Sequence, residues 1–274
     1  MQFNSSVNPS LNQQNTVQHL VRRAYIIWAG LWWLFGFLIL LPFFTVCILV
    51  PITRPAMQVL NTIWCWLFFP MAFLKVQTVG KNNFPKESCI YISNHGSFLD
   101  IPLLTFVLPG FPAFMGKSSL GKIPVFGFMF RNLHIVVDRH STRGRAKAMK
   151  DTLEMLKAGR SVVIFPEGGI HHSIQPDLAP FKDGAFSMAI QTGLPVVPIT
   201  ICHNWFILPD DGKWLPRNGL CKTVVHKAIP TQNLSENDIP ALKEKCHDII
   251  RKTLIRENEH GNPKYRTGRI LEQV

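Results

Sequence analysis

Hydrophobic positions along the chain follow two different patterns, one before about residue 75 and one after it. No residue is charged over 24–53 or over 55–74, and only Arg54 interrupts this apolar run. The first stretch exceeds the roughly 20 apolar residues that a helix needs to cross a bilayer core. The second is shorter, and is either a second span or a helix lying in the membrane interface; buried core helices are the alternative for both. We expect a polar, poorly ordered leader at residues 1–20 and membrane-associated helices over 21–75.

After residue 75 the pattern changes to short β-branched runs separated by segments with helical periodicity. Six runs predict strands: CIYIS, AFMG, HIVVD, SVVIF, VVPITI and TVVHKAI. Helices are predicted in four places: after Phe98 and across 143–157, 182–191 and 239–256. Strands that alternate with helices indicate an α/β fold with a mixed, largely buried β-sheet flanked by helices. This core is expected over 76–232, with a basic helix and tail over 233–274.

Charge and cysteine content indicate the surroundings of the protein. The formal net charge is +12 at pH 7, although only 17% of the residues are charged. Basic residues are concentrated in DRHSTRGRAKAMK and in the tail, without the interleaved aromatic residues on which single-stranded nucleic acid stacks. We therefore expect an anionic bilayer surface as partner and no nucleic acid, with a solvated basic face as the alternative for the tail. Six cysteines without a C-x-x-C pair indicate reduced thiols in a protein that faces the cytoplasm, anchored in the membrane by residues 24–74.

The stretch CIYISNHGSFLD is a first candidate for chemistry. A strand-like run ends there at Asn94 and His95, and Asp100 follows five residues after the histidine. On one regular helix the side chains of His95 and Asp100 would diverge by about 140°. If His95 ends the strand and Asp100 lies in the first turn of a helix, they converge, and the carboxylate orients the imidazole and stabilises its protonated form. The alternative is an ordinary polar turn at the end of a buried strand.

Two further stretches place polar groups after strands. In VVIFPEGGI, Glu167, Gly168 and Gly169 follow a buried strand, and glycine turns of this kind can offer backbone N–H groups to an anion or oxyanion; a structural turn is the alternative. Lys117 and Arg139 each close a strand-like run, where a cation would bind a phosphate or would simply be a solvated surface charge. The spacing of the remaining histidines and cysteines matches no familiar zinc pattern, so no metal is expected.

These pieces occur in an order that resembles a known family. The stretches are SNHGSFLD, GKSSLGKIPVFGFMFRNLHIVVDR, FPEGGI and FKDGAFSMAIQTGLPVVPITI, all within residues 88–201. They resemble the four sequence blocks of the 1-acyl-sn-glycerol-3-phosphate acyltransferases, a glycerolipid acyltransferase family with an H-x-x-x-x-D motif. The resemblance implies acyl transfer from acyl-CoA or acyl carrier protein to the sn-2 hydroxyl of lysophosphatidic acid, giving phosphatidic acid. It implies no cofactor besides this thioester substrate.

The resemblance also implies a role for each site residue. His95 would be the general base that removes the proton from the acceptor hydroxyl, Asp100 would orient it, and no covalent acyl-enzyme is expected. The second block and the glycine turn would bind the phosphate and glycerol of the acceptor. The predicted substrate-binding residues are the following: Asn94, Ser97, Lys117, Arg139, Glu167, Gly168 and Gly169.

The third block departs from the family pattern. Many members read F-P-E-G-T-R, whereas Gly169 and Ile170 stand here in place of the threonine and arginine. Either Lys117 and Arg139 suffice for the phosphate, or another cation substitutes, or the headgroup of the acceptor differs. Glycerol 3-phosphate, another lysophospholipid and a lyso-aminolipid are therefore alternative acceptors. Hydrolysis by the same base, and lipid binding without catalysis, are the alternatives to acyl transfer.

Overall fold

Two packed helices form the N-terminal part of the structure. The structure, a computed structural model, describes the following residues: 9–53, 55–123, 126–138 and 141–259. Helix α1 spans Pro9–Leu49 and α2 spans Ala56–Met71. The ring N–H of Trp64 donates to the backbone carbonyl of Trp33 at 2.9 Å, and the two ring centroids lie 4.0 Å apart. The helices approach closely at Gly36, where a Cβ would lie 2.8 Å from Cδ1 of Trp64.

Much of the apolar surface of α1 is not covered by protein. Leu31, Phe35, Leu38 and Phe43 are each more than half exposed. The segment Val17–Leu49 is long and apolar enough to cross a membrane, by length and composition. Only 22% of its most apolar stretch of 18 residues is buried. An apolar surface of this extent marks a site of membrane or protein contact. The exposure favours the predicted membrane anchor over a pair of buried core helices.

Helix α1 begins earlier than the sequence predicted. Residues 9–20, which we expected to belong to a poorly ordered leader, are helical from Pro9 onward, and residues 1–8 lie outside the described part. Proline is tolerated in the first turn of a helix, where the N–H groups have no intrahelical partner. Helix extension costs much less than nucleation, so the long apolar run can propagate into the polar stretch before it.

A mixed sheet forms the centre of the second part. Seven strands are described: β1 Leu74–Val79, β2 Ile90–Ser93, β3 Ala113–Lys117, β4 Ile135–Val137, β5 Val162–Ile164, β6 Val196–Ile201 and β7 Gly219–Val225. Their order in the sheet is β1-β7-β6-β2-β5-β3-β4. Strands β6 and β7 are antiparallel, and every other pair of neighbours is parallel. The predicted mixed sheet is confirmed.

Helices cover both faces of this sheet. The remaining described helices are α3 Asp100–Val107, α4 Phe126–Leu133, α5 Thr142–Lys157, α6 Gly184–Thr192, α7 Asn204–Ile207 and α8 Ile239–Glu259. Successive side chains of a strand point to opposite faces. Accordingly, Ile90 and Ile92 pack in one core with α5, α6 and α8, whereas Tyr91 packs in another with α2 and α3. The central strands are thus buried on both sides, as predicted.

The structure confirms most of the predicted elements and adds others. Each of the six predicted strands and four predicted helices overlaps an element of the structure. Strand β1, helix α4 and the short helix α7 were not predicted, and β7 begins at Gly219, before the predicted run. All six cysteines are free and buried. The basic tail beyond residue 259 lies outside the described residues.

Candidate active site

Polar side chains gather at one edge of the sheet, where parallel strands end. Strands β2, β5 and β3 lie side by side and run parallel, so their carboxyl ends meet at the same edge. His95 follows β2, Glu167 follows β5, and Lys117 ends β3. On the other side of β2, strand β6 is followed by Asn204 at the start of α7. The topology therefore brings residues from distant parts of the chain to one place.

His95 and Asp100 form the central pair of this edge. Asp100 is the first residue of α3, and its backbone N–H donates to the carbonyl of Ser97 at 3.1 Å, which closes the turn after β2. Nδ1 of His95 lies 3.0 Å from Oδ2 of Asp100. The same carboxylate oxygen accepts the backbone N–H groups of Gly96 and Ser97, each at 2.9 Å. The strand end and the first helical turn thus place the two side chains together, as the sequence predicted.

One more donor reaches Asp100 from a distant part of the chain. Nδ2 of Asn204 donates to Oδ1 of Asp100 at 2.9 Å. Asp100 has 0% exposure, and N–H donors of this kind stabilise the ionised form of a buried carboxylate. Sequence analysis missed Asn204, since it lies 104 residues after Asp100 in a stretch that carries no motif of its own. The signal that marks it is topological: it follows β6, which neighbours β2.

The imidazole ring of His95 is held in one orientation. It stacks on Phe165, with ring centroids 4.1 Å and planes 16° apart. The loop beside it is tightly packed, because a Cβ on Gly96 would lie 2.9 Å from Oε1 of Gln175. Nδ1 faces the carboxylate of Asp100, and no described residue forms a hydrogen bond with Nε2. Nε2 is therefore the nitrogen that can accept a proton from a substrate.

Glu167 fastens the glycine turn to the histidine loop. Its Oε1 accepts the backbone N–H of His95 at 2.8 Å, and its Oε2 accepts that of Ala179 at 2.9 Å. The residue is 3% exposed, and burial raises the pKa of the carboxyl, an effect that the two N–H donors partly offset. Glu167 was predicted to bind substrate. Its carboxylate accepts two backbone N–H groups and so ties the turn to the loop at His95, and a contact with substrate stays a prediction.

The side chains of Asn94 and Ser97 are also turned into the protein. Asn94 bonds with both backbone groups of Ile201, its Nδ2 donating at 2.9 Å and its Oδ1 accepting at 2.8 Å. Ser97 Oγ donates to the carbonyl of Leu208 at 2.7 Å and accepts from the N–H of Leu99 at 3.1 Å. Both residues are buried. Their side chains hold the loop against β6 and α7, and the substrate contacts predicted for these residues stay a prediction.

The other predicted binding residues lie at the surface of the same edge. Lys117 is exposed at the end of β3. Gly168 adopts φ +79°, a left-handed conformation that favours glycine, and Gly169 is partly buried after it. Arg139 lies outside the described residues. The phosphate-binding role of these residues stays a prediction.

An apolar cavity lies between the helix pair α1–α2 and the histidine loop, the segment between His95 and Asp100. Its volume is about 340 Å³. Ala29 and Trp33 of α1 line one side, and Phe98 and Leu99, from the segment between His95 and Asp100, line another. The membrane-associated helix and the histidine loop thus share one apolar space.

A histidine–aspartate pair with H-x-x-x-x-D spacing at the edge of an α/β sheet, beside an apolar cavity and an apolar helix, is the arrangement expected of a membrane-associated acyltransferase. The acyltransferase family model matches residues 75–202. A 1-acyl-sn-glycerol-3-phosphate acyltransferase of Chlamydomonas reinhardtii is 34% identical over 80% of this chain and 68% of its own length. The chain belongs to the family of 1-acyl-sn-glycerol-3-phosphate acyltransferases.

Other relatives agree with this assignment, and one solved structure has the same fold. The protein of the same name from Borreliella burgdorferi is 31% identical over 69% of this chain and 74% of its own length. A chloroplastic relative from Brassica napus is 36% identical over 57% of this chain, which spans 46% of that protein. The crystal structure of the 1-acyl-sn-glycerophosphate (LPA) acyltransferase from Thermotoga maritima has a TM-score of 0.71 at 22% identity, covering 86% of this chain and 97% of that one. This last likeness shows a shared fold.

Proposed function

We propose that the protein transfers a fatty acyl group from an acyl thioester to the sn-2 hydroxyl of lysophosphatidic acid, which yields phosphatidic acid for phospholipid synthesis. The observation that carries the proposal is the His95–Asp100 pair, with 3.0 Å between Nδ1 and Oδ2, beside an apolar cavity. An oriented imidazole suits a hydroxyl acceptor, and the cavity suits an acyl chain. The activity stated in the names of the relatives supports the same reaction.

In the proposed reaction, His95 moves one proton while the acyl group changes partners. Nε2 of His95 removes the proton of the sn-2 hydroxyl as its oxygen attacks the thioester carbonyl, which forms the new C–O bond. The tetrahedral adduct then collapses with cleavage of the C–S bond, and the leaving thiolate takes the proton back from the imidazolium. Asp100 stabilises the imidazolium between these two steps, because its carboxylate faces Nδ1 at 3.0 Å.

The surroundings of Ser97 support direct transfer without an acyl-enzyme. Ser93 and Ser97 each lie two residues from the base, but both are buried, and Oγ of Ser97 donates to the carbonyl of Leu208 at 2.7 Å. A serine nucleophile needs a base within hydrogen-bond reach and access to the substrate. The geometry therefore favours attack by the acceptor hydroxyl itself.

For the acceptor headgroup, the proposal places the phosphate over the ends of β3 and β5. Lys117 is exposed there, and the turn at Gly168 and Gly169 follows β5 at the same edge. Arg139, outside the described residues, completes the predicted set. Glu167 supports this surface from beneath through its bonds to two backbone N–H groups.

We further propose that the catalytic domain faces the cytoplasm and works at an anionic bilayer surface. Free, buried cysteines suit a reducing compartment. In the basic stretch at the start of α5, Lys147 and Lys150 form exposed i,i+4 ion pairs with Asp151 and Glu154, and such exposed pairs are weak. The donor is acyl-CoA or acylated acyl carrier protein, both of which present the same thioester to the acceptor hydroxyl.

A product assay tests this function. Detergent-purified protein is supplied with acyl-CoA or acylated acyl carrier protein as donor. The acceptor is lysophosphatidic acid, glycerol 3-phosphate or a lyso-aminolipid. We expect phosphatidic acid, identified by mass, from lysophosphatidic acid. Product from another acceptor alone would contradict the acceptor assignment. Such a result is conceivable because Ile170 stands where many family members have an arginine. Free fatty acid alone would indicate hydrolysis, and no product from any pair would indicate a lipid-binding protein.

A further inference from the structure

The side chain of Lys182 lies against Gly168, in the turn that follows β5. Gly168 has φ +79°. A Cβ placed on it would lie 2.4 Å from Nζ of Lys182, 2.9 Å from Cε and 3.3 Å from Cδ. The side chain of Lys182 thus runs across the space that a side chain at residue 168 would fill. Its ammonium group lies beside the turn that follows β5.

The position of Lys182 is set by the backbone around it. The N–H of Lys182 donates to the carbonyl of Pro166 at 3.0 Å. Three residues earlier, the N–H of Ala179 donates to the carboxylate of Glu167 at 2.9 Å. Phe181, between these two bonds, is buried. The segment that carries Lys182 is therefore tied to the turn at two points and packed into the core between them.

The turn under Lys182 also contacts the base. Glu167, the residue before Gly168, accepts the backbone N–H of His95 at 2.8 Å. Lys117 ends β3, which pairs with β5, and neighbouring strands lie about 4.8 Å apart. Two lysines, Lys182 beside the turn and Lys117 at the end of the adjacent strand, therefore lie at the same edge as the base.

The charge of Lys182 is not neutralised by a described residue. Lys182 is exposed, and none of the ion pairs in the described part of the chain includes it. Its neighbour Asp183 pairs instead with Lys243 at 2.7 Å. The carboxylate of Glu167 faces two backbone N–H groups inside the protein. The ammonium group is thus available to an anionic ligand at the mouth of the site.

We infer that Lys182 binds the phosphate of the lysophosphatidic acid acceptor and supplies the cation that Ile170 does not. This inference rests on the proposed function. A phosphate monoester carries a charge of about −1.5 to −2 near neutral pH, and a lysine presents a compact charge with three donors to it. Ile170 is an apolar, partly buried residue on the same turn, two positions after Gly168, and it offers no such contact. Lys182 reaches the turn from the segment before α6 instead.

Steady-state kinetics of Lys182→Gln test the inference. We expect the KM for lysophosphatidic acid to rise about 10- to 100-fold, the loss typical of a hydrogen bond to a charged group, with kcat within about threefold of wild type. The KM for the acyl donor should not change. Lys182→Arg, which keeps the charge, should recover most of the affinity for lysophosphatidic acid.

The matched control is Lys227→Gln. Lys227 is an exposed lysine that follows β7, at the opposite edge of the sheet from His95, and it makes no ion pair with a described residue. This variant should keep the wild-type KM for both substrates. Unfolding midpoints for each variant separate a binding defect from a folding defect.

Three results separate failure of this inference from failure of the proposed function. Wild-type protein that forms phosphatidic acid, together with an unchanged KM for lysophosphatidic acid in Lys182→Gln, overturns the role of Lys182 alone. An equal rise in the KM for the donor also overturns it, since the lysine would then act on the site in general. Wild-type protein that forms no phosphatidic acid overturns the proposed function itself.

Discussion

One buried carboxylate organises the loop that holds the base. Asp100 meets Nδ1 of His95 and accepts the N–H groups of Gly96 and Ser97 through one oxygen, and it accepts Nδ2 of Asn204 through the other. A fully buried charge is costly unless such donors surround it. The geometry of the base therefore depends on residues that do not touch the substrate.

Asn204→Leu tests this dependence. The substitution removes the donor to Oδ1 of Asp100 while keeping a side chain of similar size. We expect kcat to fall about 10- to 100-fold, the effect of losing a hydrogen bond to a charged group, with the KM for lysophosphatidic acid within about twofold of wild type. The control is Asn132→Leu, since the side chain of Asn132 donates to Phe128 within α4. A wild-type kcat in Asn204→Leu would show that Asp100 does not need this partner.

At the residue scale, the sequence predicted the contact between His95 and Asp100, which depends on local geometry alone. His95 and Asp100 are five residues apart, so a strand end followed by a helical turn was enough to bring them together. The sequence could not show that Asn204 joins them, because that contact depends on the order of β2 and β6 in the sheet. It also could not show that the polar atoms of Asn94 and Glu167 face backbone groups inside the protein.

The helix pair shows how small residues control packing between elements. Gly36 faces Trp64, where a Cβ would lie 2.8 Å from Cδ1 of the indole, whereas Gly30 on the same helix has no other atom within 4 Å of such a Cβ. The close approach at Gly36 lets Trp64 donate to the carbonyl of Trp33 at 2.9 Å. A side chain at residue 36 would separate α1 from α2.

Gly36→Ala and Gly30→Ala form a matched pair that tests this packing. Alanine favours a helix over glycine by about 1 kcal/mol at either position. At Gly30 that gain should appear as a slightly raised unfolding midpoint in detergent. At Gly36 the overlap with Trp64 should outweigh it and destabilise the protein by about 1–3 kcal/mol. Equal midpoints for the two variants would contradict the close approach of α1 and α2.

At the element scale, sequence patterns predicted strands that lie in uniformly apolar runs and missed one that does not. Strand β1, LKVQTV, alternates buried and more exposed residues and follows α2 almost directly, so its first residues were assigned to the membrane segment. Helix α4 was missed because its short apolar run, FGFMFRNL, contains a glycine and has no clear start signal. Strand β7 begins at Gly219, a residue that disfavours strands.

In the whole molecule, the membrane anchor and the catalytic domain share a boundary. The cavity of about 340 Å³ is lined by Ala29 and Trp33 of α1 and by Phe98 and Leu99 of the histidine loop. A lipid acceptor resides in the bilayer, so an anchor that contributes to the wall of the site also confines the enzyme to the phase that holds its substrate. The sequence predicted both parts, but their shared cavity follows only from the packed structure.

The stability of the whole molecule should decrease below about pH 6.5. Burial lowers the pKa of His134 from 6.5 to about 3, the charge of Arg160 acts in the same direction, and the N–H of Phe114 donates to Nδ1 of His134 at 3.2 Å. The unfolded chain therefore binds a proton that the folded protein does not. The contribution of His134 to the free energy of unfolding is fully present above the pKa of the unfolded state. It is lost as the pH falls toward 3, by about 1.4 kcal/mol per pH unit.

Unfolding midpoints in detergent, at about pH 7.5, 6 and 5, measure this effect in the wild type and in His134→Gln. The variant lacks the titrating group and should lose less stability over the same range. His226, whose pKa burial lowers to about 4, keeps part of the pH dependence in the variant. Equal slopes in the two proteins would show that His134 does not stay neutral in the fold.

The most direct test of the account is the rate at which wild type and His95→Ala form phosphatidic acid from lysophosphatidic acid and an acyl thioester. With an intact fold, shown by an unchanged unfolding midpoint, His95→Ala should lower kcat by about 10²- to 10⁴-fold, the usual contribution of a general base. The wild type should form phosphatidic acid with at least one of the two donors, acyl-CoA and acylated acyl carrier protein. A wild-type rate in His95→Ala would contradict the role of the base.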